Sequence, residues 1–258
     1  MNLRYVVEGM IKIAQGAGDL ILNREEIYVK EKGDISNIVT SMDIKSQNYI
    51  LERLVKLVPE AKVIAEESTN NEFDNGYVWC VDPIDGTTNY AYDTKMSCIS
   101  IALLYEGKGF IGVIYNPYAE ETFVGVKGHG AYLNGKPIHV NEYPLSASLI
   151  SVGTTPYNKE MADETFDKMK RIFLHCRDTR RSGSATIDMC YVACGRYDGY
   201  YEYVLAPWDY AAVATVIEEA GGVIGTADPY TWCYTKSITI IAGTKANFDE
   251  LKKVVTEK

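Results

Sequence analysis

The sequence predicts a layered fold that mixes α-helices with β-sheets. Over residues 3–22 the apolar side chains recur at helical spacing. From residue 62 onward the period shortens, and apolar runs alternate with glycine, asparagine and proline, as is typical of strands and turns. Helical and strand-like segments alternate in blocks along all 258 residues, so we expect sheets that are covered by helices.

The first part of the chain is predicted to pair two helices with a run of strands. The helices span 3–22 and 43–58, and Pro59 ends the second. We interpret Gly16 and Gly18 as sites of close helix packing, because no strand precedes them as a dinucleotide-binding loop requires. The predicted strands are KVIAEE from 62, YVWCVDP from 77, SCISIALLYEG from 97, KGFIGVIYNP from 108 and ETFVGVKG from 121.

A soft boundary is predicted near residues 140–148, where Pro144 and several serines interrupt the pattern. It divides one compact unit into halves of residues 1–145 and 146–258. The second half is predicted to hold strands at LISVG, RYDGYYEYV and SITIIAG, with helices over 158–173, 184–194, 208–220 and 245–257.

Charge and composition exclude several classes of protein. The net charge is −9 and no basic stripe is present, which argues against a nucleic-acid polymer as partner. No apolar run approaches the roughly 20 residues of a membrane span, and the N-terminus lacks the features of a signal peptide. We therefore expect a cytoplasmic protein whose six scattered cysteines are free thiols.

Acidic residues in separated motifs suggest a metal site. In VDPIDGTTN, Asp82 ends an apolar strand and Pro83 is expected to stop that strand. Asp82 and Asp85 can then converge with the Ile84 carbonyl, and such hard oxygen ligands are those that Mg²⁺ prefers. The other motifs are AEES with Glu66 and Glu67, PWDYAA with Asp209, and NIVTSMD with Thr40 and Asp43 just before a helix.

A phosphate-binding turn is predicted directly after the aspartates. Gly86 permits a left-handed backbone, and Thr87 and Thr88 can open a helix whose free amides attract phosphate. Each motif alone also has an ordinary interpretation, since Asp-Gly is a common turn and an aspartate is a common helix cap. Their occurrence together favours the metal site.

The combination of EES, DPIDGTTNY and WDYAAVATVIEEAGG resembles the inositol monophosphatase family, which belongs to the Mg²⁺-dependent, lithium-sensitive phosphatase superfamily. The resemblance extends over nearly the whole chain, through VKEKGDISNIVTSMD, GHGAYLNGKPIHV and RRSGSATIDMCYVACGRYDGYYE. It implies a layered α-β-α-β-α sandwich of the inositol monophosphatase and fructose-1,6-bisphosphatase type. It also implies a homodimer and inhibition by lithium.

The resemblance further implies the site residues. Glu66, Asp82 and the Ile84 carbonyl would bind one Mg²⁺, and Asp82, Asp85 and Asp209 a second, with a third, looser ion at Glu66. Thr87 and Asp43 would orient the attacking water, with Glu66 beside them. The predicted substrate-binding residues are Asp85, Gly86, Thr87, Gly183, Ser184, Ala185, Glu202 and Asp209, and Lys32, Glu67 and Arg180 are further candidates.

Glu202 directs the prediction of the substrate. It stands seven residues before Asp209, where the family has a glutamate that binds ring hydroxyls. A carboxylate suits polyol hydroxyls and disfavours a second phosphate, so myo-inositol monophosphate is the leading hypothesis. The same chemistry on fructose 1,6-bisphosphate, 3′-phosphoadenosine 5′-phosphate or NADP stays open, and a catalytically inactive phosphate- or metal-binding regulator is the alternative of another class.

Overall fold

The structure is a computed structural model that describes residues 2–24, 28–32, 38–68 and 71–257. Its α-helices are α1 (Leu3–Leu22), α2 (Ser41–Leu57), α3 (Thr87–Ala91), α4 (Ala162–His175), α5 (Ala185–Ala193), α6 (Pro207–Glu219) and α7 (Phe248–Thr256). Short 3₁₀ helices lie at Leu145–Ala147, Lys159–Met161 and Pro229–Thr231.

The described strands form three sheets. Two of the strands, β1 (Val29–Glu31) and β2 (Ile38–Thr40), pair as a small antiparallel ribbon. The order β3-β4-β5-β6-β7-β8-β9 builds a seven-stranded sheet from Lys62–Ala65, Tyr77–Asp85, Cys98–Tyr105, Lys108–Asn116, Glu121–Val126, Gly130–Leu133 and Lys136–Pro137. The order β11-β10-β12-β14-β13 builds a five-stranded sheet from Asp178–Arg180, Leu149–Val152, Gly199–Leu205, Ile238–Gly243 and Val223–Gly225.

The predicted α-β-α-β-α sandwich is confirmed. Helices α1 and α2 cover one face of the seven-stranded sheet, and α5 and α6 fill the space between the two large sheets. Helices α4 and α7 cover the outer face of the five-stranded sheet. The division near residues 140–148 stays a prediction. Helix α6 of the second half packs against β5, β6 and β7 of the first half, so the two halves are in extensive contact.

Close packing of α1 explains its glycines. A Cβ at Gly16 would lie 2.1 Å from the hydroxyl oxygen of Tyr49 on α2, and one at Gly18 would lie 2.4 Å from the ring of Tyr115 on β6. Both glycines therefore let α1 approach its neighbours, as predicted. The six cysteines are free, also as predicted. Among the helices of the described ranges, none has both the length and the apolar character that a membrane crossing requires.

The shortest elements were not predicted from the sequence, and some predicted helix boundaries differ from those in the structure. Strands β1, β2, β11 and β13 have three residues each, which is too few to show a period. The helix predicted over 158–173 begins only at Ala162, because a 3₁₀ turn occupies Lys159–Met161. The helix predicted from residue 43 begins at Ser41, so Asp43 lies inside its first turn and not before it.

Candidate active site

A bulge in β4 brings two aspartates to the same side of the sheet. Asp82 pairs with Ser100 of β5 and Asp85 pairs with Cys98, so three steps on β4 face two steps on β5. Residues three apart on a regular strand point to opposite faces, and the extra residue cancels this alternation. The prediction that Pro83 stops the strand is wrong, since β4 continues to Asp85 and the proline lies within the bulge.

A third carboxylate arrives from the start of α6. Pro207 is the first residue of this helix, and Asp209 accepts a hydrogen bond from the Ala206 amide at 2.8 Å. Asp82, Asp85 and Asp209 each offer one carboxylate oxygen, and these three oxygens lie within 4.8 Å of one another. The local rules of a strand bulge and a helix start thus gather three acidic groups that are distant in sequence.

This acidic cluster is costly to keep charged. Asp82 and Asp85 are 2% and 5% exposed. Burial raises the pKa of Asp85 to about 7. Burial and the neighbouring carboxylates raise the pKa values of Asp82 and Asp209 well above their usual range. A divalent cation would relieve this repulsion, and the donor set of carboxylate oxygens fits Mg²⁺.

The carboxylate of Asp85 is held by the start of α5. Its Oδ2 atom accepts a hydrogen bond from the Thr186 amide at 3.2 Å and a shorter one from the Ser184 hydroxyl. The sequence SGSAT places a serine cap and free amides at that helix start. These contacts occupy Oδ2 and fix the orientation of the carboxylate.

Thr87 and Asp43 form a hydrogen-bonded pair beside the cluster. Thr40 caps α2, and its amide and hydroxyl donate to Asp43 Oδ2 at 2.7 and 2.5 Å. Thr87 Oγ1 lies 3.2 Å from both Asp43 Oδ1 and the Ile84 carbonyl oxygen. Burial raises the pKa of Asp43 to about 6. The structure therefore brings together a hydroxyl and a carboxylate that are 44 residues apart.

The predicted left-handed turn is present at Gly86, which has φ +83° and precedes α3. A Cβ there would lie 2.9 Å from the Met96 carbonyl oxygen, so only glycine fits. The first residues of α3 face the same cavity as Asp85 and Asp209. The predicted phosphate-binding turn therefore adjoins the acidic cluster.

Glu202 lies on another wall of that cavity. It is 8% exposed, and its carboxylate accepts hydrogen bonds from the Thr155 amide at 3.0 Å and from the Tyr200 hydroxyl. A Cβ at Gly153 would lie only 1.9–2.3 Å from the atoms of this carboxyl group. Gly153 therefore leaves the space that the carboxylate occupies.

The structure brings every predicted substrate-binding residue to this one cavity: Asp85, Gly86, Thr87, Gly183, Ser184, Ala185, Glu202 and Asp209. Their individual roles stay predictions. Asp43, Asp82 and Ile84 are buried behind it.

The model of the inositol monophosphatase family matches residues 2–258. The chain belongs to this family. It is 37% identical to the inositol-1-monophosphatase of Synechocystis over 84% of this chain and 76% of that protein. It is 34% identical to the Nus factor SuhB of Escherichia coli over 83% of this chain and 82% of that one. The structure of the inositol monophosphatase from Anabaena superposes on this chain with a TM-score of 0.87. The two sequences are 32% identical, and the match covers 99% of this chain and 96% of that one. Membership supports a phosphatase that acts on small phosphorylated substrates.

Three candidates implied by the family resemblance lie beside the cluster. Glu66 is not among the three carboxylates of the close cluster. Its Oε1 atom accepts a hydrogen bond from Lys32 Nζ at 3.1 Å. Lys32 also contacts Glu67, and the three line a neighbouring depression. Burial raises the pKa of Glu66 to about 7. Its role as a metal ligand of an inositol monophosphatase stays a prediction.

Arg180 is not brought to the cavity. It donates to Asp178 Oδ2 at 2.5 Å and to the Thr179 carbonyl at 2.8 Å. Its neighbour Arg181 lines the cavity instead, as expected when consecutive side chains at a strand end point to opposite sides. Sequence reasoning also missed other lining residues, namely Asn89, Gly153, Tyr157 and Asp188. The glycine in SVGTTPY was the one available signal, since a glycine at a strand end often marks a close approach.

Proposed function

We propose that the protein hydrolyses a small phosphate monoester of a polyol, most simply myo-inositol monophosphate, with Mg²⁺ as cofactor. The observation that carries this proposal is the cluster of Asp82, Asp85 and Asp209, two of which, Asp85 and Asp209, line a cavity together with Glu202. The cluster supports a centre that hydrolyses phosphate esters. Glu202 supports a substrate whose alcohol part carries several hydroxyl groups.

The three clustered carboxylates, together with Glu66 and the Ile84 carbonyl, would hold two Mg²⁺ ions or three. All are oxygen donors, and burial raises the carboxylate pKa values in the absence of a cation. When bound, Mg²⁺ supplies the positive charge that draws a phosphate into an acidic cavity and makes a water easier to deprotonate.

Thr87 and Asp43 would orient the attacking water. The Thr87 hydroxyl donates to Asp43 and can accept a hydrogen bond from water through a lone pair. As the water oxygen bonds to phosphorus, its proton passes through Thr87 to Asp43, and the bond from phosphorus to the alcohol oxygen breaks. The alcohol then takes up a proton from solvent. A base with a pKa of about 6 is suited to this transfer near neutral pH.

The phosphate oxygens would contact the amides of Gly86 and Thr87 at the start of α3. Glu202 would accept hydrogen bonds from two hydroxyls of the alcohol. It would repel a second phosphate, and this repulsion favours a monophosphate over fructose 1,6-bisphosphate, 3′-phosphoadenosine 5′-phosphate or NADP. Lithium inhibition and a homodimer are further expectations from the family.

The experiment is a phosphate-release panel with Mg²⁺ that compares kcat/KM for inositol 1-phosphate, fructose 1,6-bisphosphate, 3′-phosphoadenosine 5′-phosphate and NADP⁺. We expect inositol 1-phosphate to be preferred, and we expect Glu202→Gln to reduce that preference. A strong preference for a bisphosphate in the wild-type enzyme contradicts the substrate assignment. An inactive regulator, the alternative of another class, would release no phosphate from any of them.

A further inference from the structure

The segment from Gly153 to Tyr157 links β10 to the rim of the cavity. Within it, the Thr155 amide donates to Glu202 Oε1 at 3.0 Å, and the Thr155 hydroxyl donates to the Tyr203 carbonyl at 2.9 Å. Thr155 has φ +45°, which is strained for a β-branched residue. Such strain persists only where surrounding contacts impose it, and it is concentrated at functional sites. The segment is therefore tied to Glu202.

Tyr157 lies at the end of this segment and lines the same cavity as Asp85, Asp209 and Glu202. The residue is 56% exposed, so it is not held in place as part of the hydrophobic core. In the part of the chain that the structure describes, its hydroxyl has no hydrogen-bond partner. A phenol that lines a polar cavity without a partner is available to a ligand.

The chemistry of the Tyr157 hydroxyl differs from that of the Glu202 carboxylate. A tyrosine phenol is protonated at neutral pH and can donate a hydrogen bond. Because Glu202 as a carboxylate only accepts, a donor in the same cavity complements it.

We infer that Tyr157 is a second residue that recognises the alcohol part of the substrate, through a hydrogen bond between its hydroxyl and a hydroxyl group of the polyol. Substrate hydroxyls both donate and accept, so a donor and an acceptor on one cavity can bind neighbouring hydroxyls of the same ring. Thr155 couples the two residues, because its amide holds Glu202 while Pro156 and Tyr157 follow directly in the chain. This inference rests on the proposed function and adds a second specificity-determining residue to it.

The test compares two phosphate esters that differ only in their hydroxyls, inositol 1-phosphate and cyclohexyl phosphate, at saturating Mg²⁺. Tyr157→Phe keeps the ring and removes the hydroxyl. We expect the ratio of kcat/KM values, inositol 1-phosphate over cyclohexyl phosphate, to fall roughly 2- to 10-fold, the value of one hydrogen bond. The change should lie mainly in KM for inositol 1-phosphate. Tyr92→Phe is the matched control, since Tyr92 is 79% exposed and lies outside this cavity.

The outcomes separate this inference from the function on which it rests. If the wild-type enzyme shows no preference for the hydroxylated ester, both the inference and the proposed function are overturned. If that preference exists and Tyr157→Phe retains it in full, only the inference is overturned. The same holds if Tyr157→Phe lowers kcat/KM equally for both esters, because that pattern indicates a structural role.

Discussion

Gly153→Ala is the substitution that tests the position of Glu202 most directly. The new Cβ would lie 1.9 Å from the carboxyl carbon of Glu202 and 2.0 and 2.3 Å from its oxygens. Ordinary contacts of this kind begin near 3.4 Å. The carboxylate must therefore move by about 1.5 Å. The backbone at Gly153 is held, since this residue directly follows β10 and its amide donates to the Tyr201 carbonyl at 2.8 Å, so the side chain is the part that can yield.

The displacement breaks the hydrogen bond from the Thr155 amide at 3.0 Å and the contact with the Tyr200 hydroxyl. Hydrogen bonds to a charged group are worth roughly 1.5–3 kcal/mol. A misplacement of about 1 Å in a substrate-positioning group costs up to roughly 10²-fold in rate. We therefore expect kcat/KM for inositol 1-phosphate to fall about 10- to 100-fold in Gly153→Ala, with a smaller loss for cyclohexyl phosphate.

The assay is phosphate release at saturating Mg²⁺, combined with thermal unfolding to confirm that the variant folds. Gly225→Ala is the matched control, because its Cβ would meet only the Phe248 ring at an ordinary 3.5 Å on an edge strand away from the cavity. A folded Gly153→Ala enzyme with the wild-type kcat/KM for inositol 1-phosphate would refute the assignment of Glu202 to the alcohol.

Three further predictions concern the acidic centre. Asp85→Asn should lower kcat at least 10²-fold with the fold intact, and an unchanged kcat would exclude the metal role. The control is Asp198→Asn, which should retain activity, because this buried aspartate accepts hydrogen bonds from the Asn141 side chain and the Leu149 amide and lies outside the cluster. Thr87→Ala should lower kcat roughly 10²-fold or more with little change in KM, and Thr87→Ser, which keeps the hydroxyl, should retain most of the wild-type kcat. If Thr87→Ala also keeps the wild-type kcat, the hydroxyl takes no part in the reaction. The folded chain retains protons on Asp85 up to a pKa of about 7 while the unfolded chain loses them near pH 4, so stability in EDTA should fall as pH rises across that window. Mg²⁺ at one fixed concentration, about 100 times its Kd at pH 8, should then raise Tm by roughly 5–10 °C at pH 8 and by less at pH 5.5, where protons compete for the carboxylates. A shift that is independent of pH would contradict this.

The layered fold was predictable because its long elements carry their own periods. The apolar stripe of α1 and the nearly continuous apolar runs of β5 and β6 are strong local signals. The exception at Pro83 is instructive, since a proline normally ends a strand in a sheet interior. Here the bulge between Asp82 and Asp85 places the proline where the ladder is already interrupted, a feature of strand pairing that no local pattern reveals.

The candidate site was predictable where the residues that would act together lie within a few positions of one another in the sequence. DPIDGTT contains acids, a glycine and a helix start in one loop. Contacts between distant segments were not predictable from spacing, and the bond of Thr155 to Glu202 and the choice of Arg181 over Arg180 are examples. Such contacts depend on the register of β10, β11 and β12, which side-chain alternation alone does not define.

The energetics of the site give a physical reason why the proposed function would require a cation. Asp82, Asp85 and Asp209 are brought together by backbone features, namely a bulge and a helix start, so they cannot move apart without unfolding part of β4 or α6. Their repulsion is therefore built into the fold, and only protons or cations can relieve it. A proton neutralises one carboxylate and leaves the cavity unable to attract phosphate. Two Mg²⁺ ions would bring four positive charges against the three negative charges of these aspartates, and the excess would attract an anionic ester. Under the proposed function, the constraint that makes these acids costly to bury would therefore make the cavity a phosphate site.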